Sequence, residues 1–227
     1  MKKSILFAIL LCNTLLAMAE NRQFIGLQLG FTQPITRLNK PVQSQETVFN
    51  STTYNGFKVG LVYNATIVKG FGYTIGINYT FGENHNKWEK IGNYDYPRKK
   101  TQSFYHQLEI PVDWQYKFTI AKDTWLILYT GPTLQFGLSF RDNIYKQNAA
   151  NETITKDSQN KYDNLKVLNV TWGIGAGLQY QRYFVRGGYD FGIINPYKEQ
   201  MFAGYDIYTR GRFDQWQIKL GIYLWDK

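Results

Sequence analysis

Between Phe24 and Trp225 the chain alternates apolar residues with small or polar ones at a period of two, and the pattern returns eight times. Over 71–82 one parity reads Phe71, Tyr73, Ile75, Ile77, Tyr79 and Phe81. The other reads Gly72, Thr74, Gly76, Asn78, Thr80 and Gly82. Over 168–180 the faces are again separated: Trp172, Ile174 and Leu178 lie on one, Asn169, Thr171, Gly173 and Gln179 on the other. Successive side chains of a strand point to opposite faces, so this period specifies strands with one apolar and one polar side. The expected strands are 23–36, 53–66, 71–83, 102–118, 124–141, 165–180, 183–194 and 213–225. Segments 67–70, 119–123 and 181–182 are short, whereas 37–52, 84–101, 142–164 and 195–212 are long and polar. Strict alternation of short turns and long loops predicts an all-β fold, an eight-stranded antiparallel up-and-down transmembrane β-barrel.

Parity alone does not say which face points outward, but volume does. The fifth strand offers Leu126, Leu128, Leu134, Phe136, Leu138 and Phe140, and the fourth Phe104, Leu108, Ile110, Val112, Trp114, Tyr116 and Phe118. Eight such sets do not fit inside an eight-stranded barrel, whose interior just holds ordinary side chains. The opposite face is rich in glycine, which makes room in a narrow lumen. The apolar face is therefore expected to meet lipid. Aromatic residues make up 17% of the chain, enough to build two interfacial girdles. Tyr63, Phe71, Tyr73, Trp114, Tyr116, Phe118, Tyr180 and Tyr183 fall near the short turns. Tyr79, Phe81, Phe104, Phe136, Phe140, Trp172, Phe191 and Trp216 fall toward the long loops.

The first 19 residues read as a cleaved signal peptide, leaving one barrel domain over 20–227. Lys2 and Lys3 form a basic start, Ile5 to Leu16 an apolar run too short to span a bilayer, and Ala17-Met18-Ala19 a small-x-small cleavage site. Cys12, the one cysteine, lies in that segment, so the mature chain has no thiol chemistry. A mean hydropathy of −0.39 agrees with a barrel, because half of each strand faces a polar interior. The formal charge of +9 comes without a nucleic-acid motif, so no nucleic acid is expected. Basic loops on a surface barrel suit anionic lipid head groups, lipopolysaccharide or polymers. The expected localisation is the cell outer membrane, with the long loops external and both termini periplasmic.

Three motifs carry a resemblance: Leu108-Glu109-Ile110-Pro111, Gly131-Pro132, and Trp172-Gly173-Ile174-Gly175-Ala176-Gly177-Leu178 followed by Tyr189-Asp190-Phe191-Gly192-Ile193-Ile194-Asn195. With them the mature chain resembles the PorT-like outer-membrane β-barrel family. The resemblance implies an eight-stranded barrel without a common catalytic activity, one branch of which is associated with type IX secretion. Lys219 to Leu224 is similar to the C-terminal signal that barrel-insertion machinery reads, with Leu224 where phenylalanine is usual.

By parity the lumen carries Lys58, Glu109, Asp113, Lys117, Arg186, Asp190 and Lys219. A buried charge must be paired or hydrated, so these are expected to form a plug of ion pairs, with Glu109 and Asp113 neutralised by Lys58, Lys117, Arg186 and Lys219. Pro111 faces inward and cannot donate to the ladder, which predicts a bulge or irregularity. His106 falls on the lipid face and His85 opens the second long loop. Ser103 and His106 lie on opposite parities, which argues against a lipid-modifying dyad. No metal-ligand spacing, nucleophile elbow or phosphate loop is present, and no cofactor is expected. Glycosylation triplets at Asn64, Asn78 and Asn169 lie inside strands and read as chance composition; those at Asn50 and Asn151 lie in loops. Trp88, Tyr94, Tyr96, Arg98, Lys99, Lys100 and Tyr145 combine aromatic and basic character in the long loops and are the binding candidates. The expected function is a monomeric, non-enzymatic barrel with structural or binding work in its external loops, accessory to protein secretion or surface-polymer handling. The alternatives are an outer-leaflet lipid-modifying enzyme and a small-solute channel.

Overall fold

The computed structural model describes residues 22–38, 52–68, 70–85, 89–90, 98–147, 155–161, 166–196, 200–202, 205–207 and 211–226. The expected signal peptide, Trp88, Tyr94, Tyr96, Asn50 and Asn151 lie outside them. Eight long strands form the wall: β1 (Arg22–Leu38), β2 (Asn55–Val68), β3 (Phe71–His85), β4 (Arg98–Ala121), β5 (Thr124–Gln147), β6 (Leu168–Tyr180), β7 (Tyr183–Gly192) and β8 (Gly211–Asp226). Each pairs antiparallel with its sequence neighbours, and β8 pairs with β1 from Phe24↔Asp226 to Leu38↔Gly211. That last ladder closes the ring, so every wall strand has two partners and no edge is left for lipid to meet.

The turn at 181–182 has the expected bounds, and the one expected at 119–123 is tighter. Ala121 pairs with Thr124 and Tyr180 with Tyr183, leaving two residues in each turn. Asp123 and Gln181 take positive φ there, 58° and 49°. At Gln181 the positive φ falls on the first turn residue, as a type II′ turn requires, and at Asp123 it falls on the second.

The two faces have inverted hydropathy. Ile174 is 57% exposed while Thr171, on the same strand, is 0% exposed. Leu29, Ile77, Leu138 and Leu220 point outward and are exposed; Gln28, Asn64, Asn78, Gln135 and Gln217 point inward and are buried. A belt of exposed aliphatic residues around a polar interior is unstable in water and stable in lipid. The aromatic belts need two corrections. Tyr73 is only 8% exposed and packs with Ala65 and Ile67 instead of facing lipid. Trp114 and Trp172, expected in opposite girdles, stand with ring centroids 6.0 Å apart. Barrel strands are tilted and staggered, so distance from a strand's own turn does not fix height in the membrane.

β4 and β5 are 24 residues each. A tilted strand crosses a bilayer in about 9–11 residues, so this hairpin stands well clear of the membrane at the long-loop end. Thr155–Lys161 pairs with Arg141–Lys146 of β5, and Glu89–Lys90 with Lys99 and Arg98 of β4. The segments 84–101 and 142–164, expected as loops, are therefore partly a raised sheet. Arg98, Lys99, Lys100 and Tyr145 sit in strands, and His85 ends β3. In the last long segment Gln200–Phe202 pairs with Tyr205–Ile207. Pro111 interrupts its ladders without shifting their register: pairing passes from Pro111↔Thr133 to Trp114↔Thr130, and from Ile75↔Val112 to Asn78↔Glu109. The bulge lies higher, where the register shifts between His106 and Gln107 against β5.

Candidate functional site

Of the seven charged residues expected in the lumen, Lys58, Glu109, Asp190, Lys117 and Arg186 fall in two hydrogen-bonded groups, and Asp113 and Lys219 lie between them. The group toward the long loops centres on Lys58 and Glu109, which form a direct ion pair with both side chains buried. Thr80 Oγ1 and Gln107 Nε2 each donate to Glu109 Oε1 at 3.0 Å. Lys58 Nζ also donates to Gln217 Oε1 at 2.7 Å. Gln217 Nε2 and Gln215 Nε2 then donate to Asp190 Oδ2 at 2.9 and 2.7 Å, and Thr32 Oγ1 to Gln215 Oε1 at 3.3 Å. The chain of contacts crosses the lumen and joins six strands.

The group toward the short turns centres on Arg186, whose hydrogen bonds among the described residues go to neutral side chains. Arg186 donates to Gln115 Oε1 at 2.7 Å, Thr74 Oγ1 at 3.2 Å and the Tyr223 hydroxyl at 3.4 Å. Thr74 accepts from Asn64 Nδ2 at 3.0 Å and donates to Gln115 at 2.9 Å. Lys117 Nζ donates to Asn64 Oδ1 at 3.0 Å and lies 5.4 Å from the Phe24 ring centroid and 5.9 Å from that of Tyr223. Arg186 stands over Tyr129 and Phe184 at 5.6 and 5.4 Å. Amide oxygens and ring faces, each a partial negative charge, do here what a carboxylate does above.

Between the groups lie Asp113 and Lys219, both buried. Asp113 lies within electrostatic reach of Lys219, Arg186 and Lys58. Gly30 separates Lys58 from Lys219 in the ladder, and a Cβ there would fall 2.9 Å from Lys219 Cγ. The simple picture of both acids on strand β4 held by direct ion pairs is corrected. Glu109 has Lys58, whereas Asp113 sits in the field of several cations. Arg186 bonds to neutral acceptors, Thr74 on β3 and Gln115 on β4, and Lys117 bonds to the Asn64 amide on β2.

Parity reading also missed the aromatic part of the lumen. Tyr105, Tyr129, Phe184, Phe213 and Tyr223 are buried on the inward side. They fit because the inner face opposite them lacks side chains. A Cβ on Gly82 would stand 1.9 Å from Tyr105 Cε1, and one on Gly221 2.1 Å from Phe184 Cζ. The signal was present in the sequence as isolated aromatics on the glycine parity, such as Tyr105 and Tyr129.

On the outward face the Tyr79 hydroxyl and His106 Nδ1 share a hydrogen bond of 2.5 Å, and His106 packs 5.1 Å from the Phe81 ring. Ser103 is buried on the inward side, so strand geometry separates it from His106. Among the described residues no group of three His, Cys, Asp or Glu is placed to hold a metal. The basic candidates Arg98, Lys99 and Lys100 face Gln147, Lys146 and Tyr145 across the raised hairpin.

A profile for the outer membrane protein beta-barrel domain matches residues 18–197, most of the chain. The chain belongs to the outer membrane protein beta-barrel domain family. Its place is therefore the outer membrane, and the closed ring of lipid-facing strands is its transmembrane part. The match carries this barrel family as a whole and not its PorT-like members in particular. No curated protein matches by sequence. Among solved structures, the barrel is similar to Ail, the attachment invasion locus protein of Yersinia pestis, solved with the heparin analogue sucrose octasulfate. That match has 10% identity, a TM-score of 0.39, and covers 89% of this chain and 98% of that one. Neisserial surface protein A matches at 11% identity and a TM-score of 0.37, over 88% of this chain and 97% of that one. The N-terminal β-barrel domain of Pseudomonas aeruginosa OprF matches at 14% identity and a TM-score of 0.29, over 86% and 97%.

Proposed function

We propose that this barrel is a non-conducting, non-enzymatic monomer whose long-loop end faces the cell exterior and binds there through the sheet raised by β4 and β5. The observation that carries the reading is the asymmetry between its ends. One end closes in two-residue turns, while the other extends a hairpin of 24-residue strands flanked by Thr155–Lys161 and Glu89–Lys90. Binding residues belong on such a projection, held by a rigid wall. Arg98, Lys99, Lys100 and Tyr145 give it a basic and aromatic character suited to anionic surface polymers or a secreted protein partner. Service to protein secretion, as in the PorT-like branch, is one form this binding takes.

The filled lumen supports a plug over a channel, since side chains from opposite walls bond across it. The separation of Ser103 from His106 removes the geometry on which a lipid-modifying enzyme of that kind depends. Two measurements test the reading. Lys99→Cys should react with a membrane-impermeant maleimide on intact cells while Asp123→Cys does not; the reverse labelling overturns the orientation. In planar bilayers the purified protein should show no stable single-channel steps, and large steps would restore the channel.

A further inference from the structure

Where the first and last strands meet, four donors converge on one carboxylate. Asp214, with no exposed surface, accepts from Arg37 Nε at 2.9 Å and Arg212 Nε at 3.0 Å. It also accepts from the Tyr189 hydroxyl at 3.1 Å and the Gly192 amide at 2.9 Å. Arg37 and Arg212 are register partners across the β1–β8 seam. Two guanidiniums are thus brought side by side, and one carboxylate offsets only one of them. A seam clasp alone needs a single arginine; among the described residues no second acid bonds to the pair, which keeps a net positive charge.

The position of this charge indicates its use. Along β8 the outward residues run Arg212, Asp214, Trp216, Ile218 and Leu220. Ile218 and Leu220 are exposed apolar surface, and Trp216 sits above them, its Nε1 donating to Gln33 Oε1 at 2.6 Å. The arginines are drawn to Asp214, one strand repeat of roughly 7 Å beyond Trp216. The head-group region reaches about 5–8 Å beyond the hydrocarbon on each side. Both guanidiniums are therefore at lipid phosphate depth, and their side chains stay 49% and 50% exposed. A guanidinium carries five N–H donors in a planar fork that matches phosphate oxygens. The bonds to Asp214 and the 3.4 Å contact from Arg37 Nη2 to Tyr189 use a minority of them.

We propose that Arg37 and Arg212, oriented by Asp214, bind a phosphate group of a membrane lipid, with its acyl chains lying on Ile218 and Leu220. Asp214 and Tyr189 are positioning residues that hold the two forks side by side on the barrel wall. The site rests on the proposed orientation only for its leaflet: with the long loops outside, the lipid is a phosphorylated lipid of the outer leaflet.

Nanodiscs of phosphatidylcholine with a minor fraction of phosphatidic acid, whose head group is a phosphate monoester, provide the test. They are symmetric, so the outcome does not depend on orientation, which the maleimide labelling reads separately. Native mass spectrometry after release should show phosphatidic acid enriched roughly fivefold or more on the wild type relative to the bulk mixture. In R37Q/R212Q the retained lipid should return to the bulk ratio. K122Q/R182Q, which removes charge at the short-turn end, should keep the wild-type enrichment. Folding of each variant is checked by heat-modifiable gel mobility; if the double variant does not fold, R212Q alone should lower the enrichment at least about twofold. A wild type without enrichment, a folded R37Q/R212Q that keeps it, or equal loss in K122Q/R182Q overturns the site.

Discussion

The two faces of each strand are built from different kinds of interaction. On the outward face Ile77, Ile174, Leu178 and Leu220 each meet lipid on their own terms. Any apolar side chain of similar size meets the same solvent, so the requirement is a class of residue. On the inward face Lys58 bonds to Glu109 and Gln217, and Gln217 to Asp190, so each side chain needs a particular partner from another strand. The outer face is a sum over positions, and the inner face is a network in which one loss is felt elsewhere. The same contrast recurs inside the lumen, where the group around Glu109 depends on charge and the group around Arg186 on neutral acceptors and rings.

The largest effect should come from breaking the direct ion pair between Lys58 and Glu109. Lys58→Met leaves Glu109 buried with neutral donors alone and should lower unfolding free energy by about 3–5 kcal/mol. The double variant Lys58→Met/Glu109→Leu should recover most of that loss. Urea unfolding in lipid vesicles reads both, and simple additivity would show that the lumen is not a network. Next is the outer face. Ile174→Arg should cost about 2–4 kcal/mol through lipid exposure, whereas Ile174→Leu should be tolerated within about 0.5 kcal/mol. Thr171→Arg should fail for a different reason, crowding of the lumen, so its penalty should be insensitive to bilayer thickness. If outward arginines are tolerated as a class, the two faces have been assigned the wrong way round.

Overpacking should be smaller again. Gly82→Ala puts a Cβ into the Tyr105 ring and should cost about 1–3 kcal/mol; Tyr105→Leu in the same chain should relieve it. A Gly82→Ala variant with wild-type stability would show that Tyr105 has room to move. The smallest effect belongs to the neutral lumen group. Thr74→Val removes the acceptor shared by Arg186 and Asn64 and should cost about 1 kcal/mol, because Gln115 and Tyr223 still receive the guanidinium. A loss as large as that of Lys58→Met would mean that the two lumen groups act as one.

Much of this was legible before any coordinates. Alternation over 71–82 and 168–180 specified strands, and their apolar bulk specified which face meets lipid, because both are local consequences of a two-residue period acting in one solvent or another. The parity of Lys58, Glu109, Asp113, Lys117, Arg186, Asp190 and Lys219 placed them in the lumen for the same reason. Their partners were not legible. Lys58 and Glu109 are 51 residues apart and Arg186 and Thr74 are 112 apart, on strands that do not pair with one another. Only closure of the ring and its stagger bring them to one level. Stagger between strands set Trp114 beside Trp172, the β3–β4 register put Tyr105 against Gly82, and closure of the ring gathered Arg37, Arg212 and Tyr189 on Asp214. A strand's own residues determine what each face is made of. Which residues meet is decided by register around the whole barrel, a property of eight strands together.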